Sequence, residues 1–219
     1  EIRLSLVGSE MCIRDSPNGL IAAALANMGE RFGFYIMMAI LTLFISAKFG
    51  LSETTTGYIY SAFYASIYIL ALAGGIIADK TKNFKGTILA GLVMMAVGYL
   101  IIAIPTPTPV PSMGLYLGLT CFGLLVIAFG NGLFKGNLQA LVGQMYDDPK
   151  YSSLRDSGFQ IFYMFINIGG FFAPWIAIGV RNWWLKVNNF DYDATLPELC
   201  HQFLKEGDKM APQAMENLT

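Results

Sequence analysis

The sequence predicts an all-α integral membrane chain with five transmembrane helices, on three observations. Hydrophobic residues fill 55% of the 219 positions and charged residues only 13%, where a soluble domain carries about 25% charged residues. The mean hydropathy is +0.53. Five apolar segments each reach about the 20 residues that a helix needs to cross a ~30 Å hydrocarbon core. None of them alternates with the period of two that a membrane barrel requires, and helix is the other way to satisfy every backbone group inside a bilayer. A net charge of −1 without a basic patch gives no hint of nucleic acid as a partner. Cys12, Cys121 and Cys200 lie far apart with no CxxC spacing, which argues against a disulfide framework or a metal site.

Residues 1–16 stand apart from the spans. "SLVGSEMCIRDS" has neither the long apolar core nor the small-residue cleavage site of a signal peptide. "MCIRDS" (Met11–Ser16) reads like the translated end of a transposase sequencing adapter. Residues 1–16 are therefore expected to be an adapter artefact, with native sequence starting near Ser16 or Pro17.

The spans follow in order. Gly19–Phe49 is the first, Thr55–Ala78 the second, Gly86–Ile104 the third, Met113–Met145 the fourth and Phe159–Val180 the fifth. The first and fourth exceed the bilayer core, which predicts tilt or projection beyond it. "PTPTPVPS" separates the third from the fourth and breaks helix on both sides. Lysine and arginine gather in "DKTKNFK", between spans two and three, and in "YDDPKYSSLRD", between four and five. The positive-inside rule puts those loops in the cytoplasm, so the first span starts on the cytoplasmic side and the tail from Arg181 lies outside. In that tail Trp183 and Trp184 suit the outer interface, and Thr195 with Glu198 forms a capping-box pattern for a short helix that stops at Gly207. His201 is expected at the surface. The expected organisation is thus a transmembrane bundle over residues 17–180 and an extracytoplasmic loop over 181–219, cut before a further helix.

Charges inside the spans point to function, because a charge at membrane depth is costly. Glu30 and Arg31 lie eleven and twelve residues from Gly19, and Lys135 lies ten from Met145. At ~1.5 Å per residue both positions are roughly 15–18 Å deep, near the bilayer middle. Tyr68 and Asn167 fall at the same level. Asn27, Arg31 and Tyr35 share one helical face, as do Asn131, Lys135 and Gln139, and Gln160, Tyr163 and Asn167. One polar stripe per span suggests helices lining a watery pathway. Gly130, Gly132, Gly136, Gly169 and Gly170 would let helices approach closely. Neighbouring side chains diverge by about 100° around a helix, so Glu30 and Arg31 need not pair directly. Two cations against one carboxylate leave positive charge in excess, which fits an anionic ligand group better than a neutralised structural site.

Four ordered segments carry a family resemblance: "ERFGFY" (Glu30–Tyr35), "GGIIADKTKNFK" (Gly74–Lys85), "FGNGLFKGNLQALVGQMYDD" (Phe129–Asp148) and "RDSGFQIFYMFINIGGFFAP" (Arg155–Pro174). Together they resemble the proton-dependent oligopeptide transporters of the major facilitator superfamily, over Asn18 to Pro174. The resemblance implies the N-terminal bundle of a two-halved transporter that moves di- and tripeptides with protons across the inner (cytoplasmic) membrane. It implies no cofactor beyond the coupling proton, and as partners small peptides, protons, the lipid bilayer and a C-terminal helical half. By it, Arg31 and Lys135 hold the peptide carboxylate, and Glu30 is the proton-coupling carboxylate. Tyr35, Tyr68 and Asn167 contact substrate. Asn27, Asn131, Gln139, Gln160 and Tyr163 are candidate cavity-lining residues, and Gly75, Asp79, Lys80 and Lys85 belong to the loop motif, which gates or sets topology. One position departs from the pattern: the first glutamate of ExxERF is Asn27, which leaves Glu30 as the only carboxylate at mid-membrane. A carrier of another anionic solute, such as nitrate or an organic acid, would use the same cations. An enzyme is not expected, for no HExxH, nucleophile elbow or metal-spaced His/Cys cluster occurs.

Overall fold

A computed structural model of the protein describes residues 17, 19–107, 110–189, 192–193 and 195–206. The adapter-like residues 1–16, the expected helix stop at Gly207 and the expected cut after it lie outside the described residues. Six helices are present among the described residues, with no strand: α1 Gly19–Phe49, α2 Glu53–Thr81, α3 Phe84–Ala103, α4 Met113–Met145, α5 Arg155–Val187 and α6 Leu196–Glu206. The first five are long and apolar enough to cross a membrane, so the chain is a multi-pass membrane protein.

Local chemistry sets the helix ends. α1 stops at Gly50, whose φ of +61° is cheap only for glycine, and its N–H bonds the Ser46 carbonyl at 2.7 Å. The Ser52 side chain accepts from the Thr55 N–H, which starts α2 two residues before the expected Thr55. Lys82 closes α2 in the left-handed region, with its N–H on the Ala78 carbonyl at 2.8 Å. Asn83 then caps α3 by accepting the Gly86 N–H at 3.0 Å. A single turn of 3-10 helix, Ser152–Leu154, feeds α5, so this helix begins at Arg155 rather than Phe159.

At its far end α5 runs on to Val187, so the loop expected from residue 181 is helical at its start. Arg181, Trp183, Trp184 and Lys186 extend the helix past the apolar core, and the Asn188 Nδ2 caps it by donating to the Trp184 carbonyl at 2.8 Å. Hydropathy marks where the hydrocarbon ends, whereas capping marks where the helix ends. The expected capping box at α6 takes another form. The Thr195 N–H and hydroxyl both donate to Asp193 Oδ1 at 2.8 Å, which holds the exposed Asp193 carboxyl below the usual carboxylate range.

Packing is organised around two helices. α4 lies along both α3 and α2, while α1 lies along α5 and makes smaller contacts with α4 and α2. Small residues make the α4 seams possible, as contact between bare backbones is a principal source of attraction in lipid. A Cβ on Gly74 would meet the Gly132 carbonyl at 2.5 Å, and one on Gly91 would meet the Gly130 carbonyl at 2.6 Å. On the other side, a Cβ on Gly169 of α5 would meet the Met28 carbonyl of α1 at 2.8 Å. Gly136 departs from the expected close approach, with nothing within 4 Å of a built Cβ. Buried apolar groups fill the remainder, among them Ile45 of α1, Phe63 of α2, Met95 of α3, Phe134 of α4 and Phe162 of α5.

His201 corrects the surface expectation. It is buried, one ring nitrogen lies 3.1 Å from the Ala47 carbonyl, and its Cβ occupies the space that a Gly50 side chain would need. α6 is amphipathic and turns this face onto the end of α1.

Candidate functional site

The centre of the site is the Glu30 carboxylate on α1. Arg31 binds it in bidentate fashion, through Nε to Oε2 and through Nη2 to Oε1 at 2.7 Å. Both side chains are 6% exposed. The expectation that neighbours on a helix need not pair is corrected here. The Cβ vectors diverge, but the long Arg31 side chain folds back far enough to present its planar fork, the geometry that suits a carboxylate best. Burial makes the pairing obligatory, since an isolated ion at this depth would be strongly penalised. α4 adds a third donor: Asn131 Nδ2 reaches Glu30 Oε1 at 2.9 Å.

Lys135 lies one helical turn beyond Asn131 and is different in kind. It is exposed, forms no ion pair among the described residues, and holds its Nζ 5.8 Å from the centroid of the Tyr68 ring. Glu30 and Arg31 both act on it electrostatically. The carboxylate oxygens are already taken by Arg31 and Asn131, so the positive charge of Lys135 faces the open side uncompensated by direct contact. The Tyr68 hydroxyl meets that of Tyr64 at 3.0 Å, and Tyr64 in turn stacks on Tyr60 at 6.3 Å between centroids. A run of tyrosines thus climbs α2 from the lysine toward the end that starts at Glu53. Tyr35 packs edge-on to Phe34 at 5.8 Å and lies against Gly170 of α5. Phe34 itself lies under the Arg31 guanidinium at 5.0 Å, a cation–π contact.

The expected residues do not all come together. Glu30, Arg31, Asn131, Lys135, Tyr68 and Tyr35 form one neighbourhood. Asn27, expected on a watery stripe, is only 4% exposed, so this part of the stripe packs into the bundle. Gln160, Tyr163 and Asn167 line a second, open depression on α5, with Met164, Ile168, Phe171 and Phe172. No hydrogen bond or ring contact among the described residues joins that depression to Glu30, Arg31 or Lys135. Gln139 is half-buried on α4, one turn past Lys135. In the loop motif, Asp79, Lys80 and Lys85 are exposed, while the tight contact belongs to Gly74 and not to its neighbour Gly75.

Sequence reasoning missed three residues. Asn137 is buried on α4, donating to the Leu133 carbonyl at 2.7 Å and to the Gly74 carbonyl at 3.4 Å. It ties the lysine-bearing helix to the loop-motif helix, and its signal was a polar residue off the polar stripe. Tyr99 on α3 is near enough to interact electrostatically with Glu30 and Arg31. No periodicity flags a lone tyrosine on an apolar span. Lys48 donates to the Ile102 and Ile104 carbonyls at 2.9 Å each, binding α1 to the end of α3 where the helix dipole is negative.

Residues 85–193 match the POT family, PTR2. The chain is 37% identical over 154 residues to the dipeptide and tripeptide permease A of Cronobacter turicensis, 36% to that of Salmonella typhi and 34% to that of Escherichia coli K12. Each alignment covers 68% of this chain and 28% of the relative, so the chain spans little more than a quarter of the length of these curated relatives. The family match through α3, α4 and α5 and the identity of 34% to 37% over 68% of the chain agree: the chain belongs to the POT family.

Proposed function

We propose that the intact protein carries di- and tripeptides across the membrane together with protons, and that this chain supplies the cationic part of its peptide site. The observation that carries the reading is Lys135, an intramembrane cation without an ion-pair partner among the described residues, beside an Arg31 held by one carboxylate. A peptide carboxylate would complete Lys135 through charge-assisted hydrogen bonds. A proton delivered to Glu30 would remove the charge that holds Arg31, leaving its guanidinium free for the same carboxylate. Proton uptake and peptide binding then favour one another, and alternating access around a midplane site does the rest.

The names of the relatives, dipeptide and tripeptide permease A, support peptides over other anions. Lys80, Lys82 and Lys85 about the α2–α3 turn, with Lys150 and Arg155 where α4 connects to α5, support a cytoplasmic start for α1 in the inner membrane. The protein so read is a transporter without catalytic residues, and the proton is its coupling ion.

The decisive experiment is dipeptide uptake into vesicles holding the intact protein, with and without an inward proton gradient. Uptake should rise with the gradient. In Glu30→Gln it should become indifferent to it, because a neutral amide cannot take up the proton. Gradient-driven uptake that survives in Glu30→Gln would remove Glu30 from the coupling. Nitrate or organic-acid uptake without peptide uptake would favour the other anion carrier.

A further inference from the structure

Among the described residues of the site, one buried side-chain atom has no hydrogen-bond partner. Asn131 is wholly buried, at 0% exposure, and its Nδ2 donates to Glu30 Oε1 at 2.9 Å. Its Oδ1 is buried as well and has no hydrogen-bond partner among the described residues. Such an orphan is unusual, because leaving a buried acceptor unmade forfeits its hydration for nothing. The other buried side-chain oxygens without a hydrogen-bond partner among the described residues are those of Thr56 and Thr106. Asn131 alone among the three bonds a carboxylate that the proposed mechanism requires to change its charge.

We propose that Asn131 is a positioning residue that serves both protonation states of Glu30, donating Nδ2 to the carboxylate and, after its amide turns over, accepting the O–H of the carboxylic acid on Oδ1. The inference rests on Glu30 being the proton acceptor. An ionised carboxylate only accepts hydrogen bonds, whereas a protonated one must also donate. Within this neighbourhood the donors Arg31 and Lys135 cannot accept. An amide carries both functions on one planar group, and half a turn about its last torsion exchanges them without moving the backbone.

The proton balance is simple. A proton from water joins Glu30, the two Arg31 bonds to it break, and the guanidinium keeps its own charge and turns to the peptide carboxylate. The amide turn breaks one bond, Nδ2 to Glu30, and makes one, Glu30 O–H to Oδ1. The charged and titratable groups facing Glu30 are Arg31 on α1, Lys135 on α4 and Tyr99 on α3. On α2, Tyr68 interacts electrostatically with Arg31, and Tyr64 with Lys135. From α5, Gln160, Tyr163 and Asn167 stay in their own depression.

The test uses the intact protein with Asn131→Leu, which keeps the shape and removes both functions. Gradient-driven dipeptide uptake should fall about tenfold relative to peptide–peptide counterflow, the factor expected for one unmade buried hydrogen bond. Infrared difference spectra between high and low pH should contain a carboxylic-acid C=O band that Glu30→Gln abolishes and Asn131→Leu moves. A band that Asn131→Leu leaves in place, with the uptake ratio unchanged, overturns the role of Asn131 while Glu30 keeps its own. A pH-dependent spectrum without a Glu30 band overturns both. Where leucine also stops counterflow, Asn131→Thr and Asn131→Val decide, being equal in shape and differing in the hydroxyl. A gradient-driven rate about tenfold higher in the threonine variant supports the assignment, and equal rates overturn it.

Discussion

At the scale of single residues, the two cations of the site stand in different states. Arg31 is buried and committed to Glu30, whereas Lys135 is exposed and without an ion pair among the described residues. In the intact protein, Lys135→Ala should therefore weaken dipeptide binding by about 10- to 150-fold, the loss of charge-assisted bonds worth about 1.5–3 kcal/mol; equilibrium titration with a labelled dipeptide measures it. Lys135→Arg should recover part of that affinity. That Glu30 and Lys135 lie level with one another on their helices was legible from residue counting alone. The pairing of Glu30 with Arg31 was not legible, since it depends on side-chain reach rather than on helical angle. Nor was the recruitment of Asn131, because a stripe shows which residues share a helix face and not which face meets a neighbour.

At the scale of elements, glycine positions decide how closely helices can lie. The family of small residues was visible in the sequence, but not which of them face a partner: a Cβ on Gly132 would meet the Leu70 carbonyl at 2.6 Å, and one on Gly136 would meet nothing within 4 Å. Gly132→Ala should destabilise the bundle by about 1–3 kcal/mol through overpacking. Gly136→Ala should be neutral or stabilising by up to about 1 kcal/mol from helix propensity. Thermal unfolding of the two variants in detergent gives the comparison. At the α1–α2 turn, Gly50→Ala combines a left-handed φ of +61° with a collision against His201 at 2.2 Å. Its expected effect is release of α6, read as faster proteolysis between Val187 and Leu196. The spans themselves were legible because hydropathy fixes them; their ends were less so, because Ser52, Asn83 and Asn188 set them by capping.

At the scale of the whole molecule, the orientation read from the loops makes a topological prediction. With Cys200 as the native reporter on the tail, a membrane-impermeant thiol reagent should label the intact protein from outside. Lys82→Cys in a Cys200→Ser background should react only after the membrane is opened. The reverse pattern would invert the bundle. The packing has a mechanical consequence as well. α2, α3 and α4 are locked by seams in which backbone touches backbone, and α1 and α5 share one of their own. Between these two blocks the contact is lighter, and the hydrogen bond from Asn131 to Glu30 crosses it. The bundle is thus built as two stiff plates with a slip plane between them, and the carboxylate at its centre is the catch: whatever changes its charge changes the friction between the plates.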